Sequence, residues 1–313
     1  MPDSPKSQKA ADSDSLLAFY REIAQTGLVR RLLEIARDED IGHARLDLTA
    51  TVTGSDSGTT TARIILGQDA VIAGLAAIPE VLDVFGTSIE LRPNLGDGQR
   101  GEAGSVVAEL AGPLDQIVTV ERTILNLLGR LSGIATLTAE YVARAGEGVC
   151  VLDTRKTTPG MRVLEKYAVR CGGGVSHRLG LHDAVLIKDN HIAHIPDEKL
   201  AAWITKAASK AREHECKFFE VEVDTLEQFE NLLRVERGLI DYVLLDNMNS
   251  KEMRQAVAMR DFAKSGIKLE ASGGVRLETI AGIAASGVDR ISVGAITHQA
   301  VTADVRLDIG LTL

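Results

Sequence analysis

Apolar residues recur along this chain at two periods, and the change of period divides it. Residues 16–39 carry apolar positions at helical spacing and run into an acidic end. Over 47–113 the texture is different. Short β-rich runs, Thr60–Leu66 and Val106–Leu110, are separated by turns containing Gly and Asp, the pattern of a small α+β domain. A long helical pattern then runs from Asp115 to Ala145, with Ile117, Val120, Ile124, Leu127, Leu131, Ile134, Leu137 and Tyr141 forming one stripe. Arg122, Asn126 and Gly129 share another face, continued by Ser132 and Gly133, where small residues allow close packing against another element or a second subunit.

After Gly148, strand-like and helix-like runs alternate. The strands are Val149–Asp153, Ala184–Ile187, Phe218–Val223, Tyr242–Leu245, Ile267–Leu269 and Arg290–Val293. Amphipathic segments lie between them at Gly160–Cys171, Glu198–Glu213, Leu226–Val235, Ser250–Lys264 and Leu277–Ala285. Near-continuous apolar strands alternating with helices predict a parallel sheet covered by helices. A closed eight-unit barrel needs ~250 residues, so a smaller or incomplete (β/α) barrel fits better, with a doubly wound sheet as the other arrangement. The expected division is a disordered polar tail over 1–15, an α+β sandwich domain with its linking helix over 16–147, the barrel over 148–296, and a return of 297–313 to the first domain.

Composition narrows the class. Of 313 residues, 45% are hydrophobic and 25% charged, which excludes a largely disordered chain. The longest stretch without charge in the N-terminal half, Ala70–Pro79, is far short of the ~18 apolar residues of a membrane span. The first fifteen residues lack the apolar core of a secretory signal. Cys150, Cys171 and Cys216 are too far apart for a zinc cage and odd in number, so a reduced, cytoplasmic protein is expected. A net charge of −9 weighs against nucleic acid as a partner.

Polar residues collect where the strands end: Asp153-Thr154-Arg155-Lys156, then Lys188-Asp189-Asn190-His191, then Glu220, Glu222 and Asp224, then Asp246-Asn247, then Glu270 with Ser272-Gly273-Gly274, and finally Gly294. Strand C-termini converge on one face of an α/β sheet, where active sites lie. Between Arg155 and Lys188 stand seven Lys or Arg against two acids, a local reversal in an acidic chain. Arg155, Lys156, Arg178 and Lys188 fall at loops or strand ends and suit a small, strongly anionic ligand. Arg162, Glu165 and Lys166 are expected on the wet side of a helix, without a role. Ser272-Gly273-Gly274, read as preceding a helix, and Gly294-Ala295 have backbone suited to phosphate. Cys171-Gly172-Gly173-Gly174 reads as a helix stop or a close-approach loop. Glu222 and Asp246 are placed to bind Mg²⁺, to hydrogen-bond sugar hydroxyls or to balance the cations. His177 reads as a loop histidine, and the remaining histidines show no metal-ligand spacing.

Five segments together resemble the quinolinate phosphoribosyltransferase family. They are ERTILNLLGRLSGIAT (121–136), DTRKTTPGMRVLEKYAVRCGGG (153–174), HRLGLHDAVLIKDNHI (177–192), EVEVDTLEQ (220–228) with LLDN (244–247), and LEASGGV (269–275) with SVGAITH (292–298). Order and spacing agree over about residues 30–313. Two departures stand out: Ser176-His177-Arg178 replaces the Asn-His-Arg of many bacterial members, and the early EDxGxGDxT pattern is stretched over Glu39–Thr49. The resemblance implies an α/β sandwich domain plus an incomplete barrel, and a homodimer whose sites are shared between subunits. It implies phosphoribosyl transfer from phosphoribosyl pyrophosphate (PRPP) to quinolinate, with Mg²⁺ and no organic cofactor. By resemblance Arg122 of a neighbouring subunit, Arg155, His177, Arg178 and Lys188 hold quinolinate, with Thr154 nearby and Lys156 close to both substrates. Glu222 and Asp246 face ribose and metal and join Lys156 as the catalytic set. Ser272, Gly273, Gly274, Val293, Gly294 and Ala295 cradle the 5′-phosphate.

Other readings of the same charges are a transferase for another pyridine acid, a Schiff-base aldolase using Lys156 or Lys188, and a sugar-phosphate binder without catalysis.

Overall fold

The structure, a computed structural model, describes residues 13–53 and 58–310. The tail expected over 1–15 lies outside the described residues up to residue 12. Residues 13–15 are not tail but the first turn of the helix Ser13–Ala24, with Asp14 near its N-terminus, where a negative charge is favoured. The helical spacing over 16–39 resolves into that helix and a second, Leu28–Ile41, because Gly27 takes φ 72, a left-handed conformation that breaks the first helix.

The described chain forms two compact units. One comprises Glu140–Lys156 and Gly174–Ala295. It is built on six parallel strands: β1 (Cys150–Leu152), β2 (Val185–Ile187), β3 (Phe219–Val223), β4 (Tyr242–Asp246), β5 (Lys268–Ser272) and β6 (Arg290–Ser292). Their order across the sheet is β1-β6-β5-β4-β3-β2. β1 and β2 are successive in the chain yet stand at opposite edges, so the barrel is open between them. Beyond β1, among the described residues, there is a single parallel bridge, Leu152 to Val175. All five residues of β3 are buried, although two are glutamates. Val221 and Val223 alternate with Glu220 and Glu222, so the charges share one face. The covering helices are sharply started. Thr225 accepts the Gln228 amide, and Asn249 with Glu252 forms a capping box at Ser250–Phe262.

The other unit contains the chain through Ala139, Thr157–Gly173 and the chain from Ile296. Its antiparallel sheet runs Val305–Gly310, Thr59–Leu66, Val106–Pro113, Glu90–Pro93. The helix Leu114–Ala145 buries Ile117, Val120, Ile124, Leu131 and Ile134 almost completely. Its small-residue face packs on backbone. A Cβ on Gly133 would stand 2.0 Å from the Val301 carbonyl oxygen, and one on Gly129 2.8 Å from that of Ala303.

Glu165 and Lys166, expected on the wet side of their helix, are both fully buried. The helix Arg162–Cys171 lies in this second unit, and Arg130 reaches it from the long helix, with Nη2 2.8 Å from Glu165 Oε1. Glu165 also accepts the Thr158 amide and hydroxyl at 3.1 and 2.8 Å. Arg130 donates further to the carbonyls of Thr297 and Ala300. Glu165→Ala leaves a largely buried arginine short of its counter-charge and should cost about 3 kcal/mol. Urea unfolding of the variant measures this; a loss under about 0.5 kcal/mol would mean that the pair holds nothing.

Candidate active site

The parallel sheet aligns the polar strand ends. Ser272 of β5 is in register with Asp246 of β4, and Glu222 of β3 with Leu244, two residues below. Asp246 and Ser272 therefore reach the same height at the mouth, with Glu222 just beneath. Lys188, directly after β2, makes an ion pair with Glu222. Burial pushes the Glu222 carboxyl up; Lys188 pulls it back, while Asp246 and Asp189 add to the rise. Asp224 is raised by burial and then by Asp189 and Asp246. The mouth is thus crowded with carboxylates around one lysine, a donor set of hard oxygens that favours a cation.

The cations flank this group. Arg178 is buried, and burial followed by the charge of nearby Arg155 lowers its pKa. Two neighbouring guanidinium charges are relieved by a shared anion. Arg155 and Lys156 are exposed, and the Lys156 amide donates to Thr154 Oγ1 at 3.0 Å, turning the chain at the end of β1.

The turn after β5 is built on Asn247. Its amide donates to the Ser272 carbonyl at 2.9 Å, and its side-chain amide donates to Asp246 Oδ2 at 2.7 Å. Gly273 takes φ 90, and a Cβ there would lie 2.1 Å from Asn247 Oδ1. Gly274 takes φ 60 and faces open space. The helix expected to follow at once begins only at Ile280, so the turn offers backbone amides without a helix terminus behind them. Val293 is buried after β6, and Gly294 and Ala295 are partly exposed.

His177 is buried rather than a solvated loop residue. Its Nε2 stands 3.0 Å from Glu220 and 3.4 Å from Glu270. Burial works to lower its pKa, but Glu270 and Glu220 overcome that and raise it to about 9. Nδ1 meets the Arg178 amide at 2.8 Å. A second proton on the ring and that hydrogen bond exclude each other, whereas the Nε2 proton is common to both forms. Glu270, read as ending the fifth strand, lies inside it, beside Glu220 of β3 and Arg290 of β6, all three buried. His177, Glu220 and Glu270 have the spacing of a metal site, but Arg290 already supplies the cation, 2.8 Å from Glu220 and 2.5 Å from Glu270. The sequence did carry a signal for this cluster, since an acid at every second position of a buried strand needs an internal partner. Arg122 belongs to the other unit, where its side chain is 64% exposed and stands 3.7 Å from Glu121.

Comparison with known proteins covers the same ground. Residues 47–132 match the family model "Quinolinate phosphoribosyl transferase, N-terminal domain", and residues 134–308 that of the C-terminal domain. The chain is 41% identical over 283 residues to the nicotinate-nucleotide pyrophosphorylase (carboxylating) of Mycobacterium leprae, covering 90% of this chain and 96% of that one. It is 38% identical over 289 residues to a probable enzyme of the same name from Bacillus subtilis, covering 91% and 94%. The solved nicotinate-nucleotide pyrophosphorylase of Francisella tularensis superimposes with a TM-score of 0.81 at 36% identity, covering 91% of this chain and 96% of that one. Two family models in the right order, together with relatives matched over nearly their full lengths, place this chain in the quinolinate phosphoribosyltransferase family.

Proposed function

We propose that the protein transfers the phosphoribosyl group of PRPP to the ring nitrogen of quinolinate, releasing pyrophosphate and CO₂ and forming nicotinate mononucleotide, a step of NAD biosynthesis. The observation that carries this reading is the meeting, at one set of strand ends, of clustered cations, clustered carboxylates and a glycine turn open to solvent. A pyridine dicarboxylate matches Arg155, Arg178 and Lys188, whereas His177, expected among them, turns its ring nitrogens to Glu220, Glu270 and the Arg178 amide. Exposed Arg122 completes that set from a second copy of the chain in a homodimer. Lys156 lies between quinolinate and pyrophosphate, with Thr154 turning the chain beneath it. Ser272, Gly273 and Gly274, opposite Val293, Gly294 and Ala295, receive the 5′-phosphate through backbone amides. Free thiols at Cys150, Cys171 and Cys216 suit a reducing compartment such as the cytoplasm. Among the described residues no helix is long and apolar enough to cross a membrane.

As pyrophosphate leaves, positive charge develops at C1 of the ribose. Glu222 and Asp246 stabilise that charge from the strand ends, and Lys156 neutralises the departing oxygens. Mg²⁺ fits the same carboxylates, since it is commonly held by one or two carboxylates together with substrate phosphates, and when bound it supplies Lewis-acid neutralisation of pyrophosphate. The ring nitrogen attacks C1. The pyridinium so formed then withdraws electrons from the adjacent carboxylate at C2, CO₂ leaves, and C2 takes a proton. Decarboxylation therefore follows ribosylation. Lys188 is held by an ion pair rather than set in an apolar pocket, the opposite of what a Schiff-base lysine requires.

Quinolinate-dependent release of pyrophosphate and CO₂ in equal amounts, abolished by chelating Mg²⁺, is the expected result. PRPP binding without pyrophosphate release would leave only a sugar-phosphate binder, and turnover with nicotinate in preference to quinolinate would reassign the substrate.

The phosphate turn can be tested apart from the cations. Gly274→Ala meets no atom within 4 Å, so its structural cost is the left-handed strain of about 1–2 kcal/mol. The added methyl does block backbone approach to phosphate. PRPP affinity should fall about tenfold or more with quinolinate affinity within twofold. Normal binding of both substrates would put the phosphate elsewhere.

A further inference from the structure

Behind Arg178 lies a set of buried charges that the proposed reaction leaves unused. Arg290 bridges Glu220 and Glu270 at 2.8 and 2.5 Å, and its guanidinium sits 3.2 Å from the centre of the Tyr242 ring. His177 completes the group, its Nε2 turned to both carboxylates and its edge packed on Phe218. Burying ion pairs is a poor route to stability, because apolar residues of equal volume do as well or better. What such a network does supply is orientation.

The orientation passes into the chain next to it. The His177 amide donates to Asp153 Oδ1 at 2.9 Å and the Arg178 amide to His177 Nδ1 at 2.8 Å. The amides of Leu179 and Gly180 donate to Asp183 Oδ2 and Oδ1 at 2.8 and 3.0 Å. Four successive amides therefore end on side chains, and the amide of the arginine itself ends on the His177 ring. A loop tied in this way holds its side chain in place without help from a regular strand or helix.

We propose that Glu220 and Glu270, with Arg290 between them, are positioning residues for the anionic substrate: they fix the His177 ring, and through it the place of the Arg178 guanidinium. The proposal rests on the reading of Arg178 as a quinolinate ligand.

The test is a double-mutant cycle on the full-length protein, with quinolinate affinity measured by calorimetry and kcat and KM by turnover. Glu220→Gln keeps the shape and removes the charge. It should weaken quinolinate about tenfold while the KM for PRPP stays within twofold, since small displacements of a binding group cost this much. In the Arg178→Ala background the same change should add less than about twofold, because its effect runs through Arg178. Glu220→Asp should restore part of the lost affinity. Multiplying effects in the double variant, or unchanged quinolinate affinity in Glu220→Gln, would overturn the proposal. Unchanged affinity in Arg178→Ala alone would instead remove the premise. If Glu220→Gln does not fold, nitrogen-15 NMR of the unmutated protein decides: a His177 Nε2 proton in slow exchange supports the anchored ring, and one exchanging as fast as that of an exposed histidine overturns it.

Discussion

Mixing two inactive variants, Arg122→Ala and Lys188→Ala, is expected to restore activity toward about a quarter of that of the unmutated enzyme. Lys188 stands at the mouth of the parallel sheet, paired with Glu222. Arg122 belongs to the other unit and is 64% exposed, with Glu121 at 3.7 Å, so little within its own chain restrains it. If each site takes Lys188 from one subunit and Arg122 from its partner, a mixed dimer has one site with both lesions and one with neither. Random exchange of equal amounts makes roughly half the dimers mixed, and so about a quarter of all sites intact under two-fold symmetry. The variants are unfolded and refolded together, and activity is compared with each refolded alone. An Arg122 that served its own chain would give no recovery, since every site would keep one lesion. Full activity in Arg122→Ala alone would take this residue out of the reaction.

The second large effect concerns the cations themselves. Lys188→Ala and Arg178→Ala should each weaken quinolinate by about 30-fold or more, because losing one partner of a desolvated charge pair costs roughly 2–5 kcal/mol. The two differ in what they leave behind. Arg178 is buried beside Arg155, so its removal relieves one repulsion and the deficit falls on quinolinate alone. Lys188 also holds Glu222, whose carboxyl burial already pushes up. Without the lysine that carboxyl rises further and holds its negative charge less firmly. Lys188→Ala should therefore also weaken the Mg²⁺ dependence of PRPP binding, which Arg178→Ala should spare. Calorimetric titration of each substrate separates these outcomes, and unchanged quinolinate affinity in both variants would reject the assignment.

Much of this was legible in the chain. The six strands fall where apolar runs alternate with amphipathic ones, and their polar ends gather because parallel strands of similar length end together. Features that depend on distant residues were less visible. On local period alone Glu165 and Lys166 belong outside. Arg130, on another helix, and Thr158 make the inside tolerable for Glu165. The break at Gly27 is hidden because Leu16, Tyr20 and Ile23 before it and Val29 and Leu33 after it each keep a helical spacing. Glu220 and Glu270 read as strand-end charges until the fold sets them beside Arg290 within the sheet. Gly273 could be recognised as a turn glycine, but its strict need, the Asn247 side chain against it, comes from the neighbouring strand end.

The antiparallel sheet has a consequence for how the chain is made. Thr59–Leu66 lies between Val106–Pro113 and Val305–Gly310, with Leu66 opposite Val305. About 240 residues separate these two partners, which at ~5–20 residues per second leaves one edge of Thr59–Leu66 unpaired on the ribosome for roughly 10 to 50 s. Every strand of the parallel sheet is synthesised within that interval. The edge that waits carries Ile64, Ile65 and Leu66, all buried in the finished fold. Such an edge is a template for pairing with another nascent chain, so the yield of this protein should depend more on translation speed and chaperone supply than its equilibrium stability suggests.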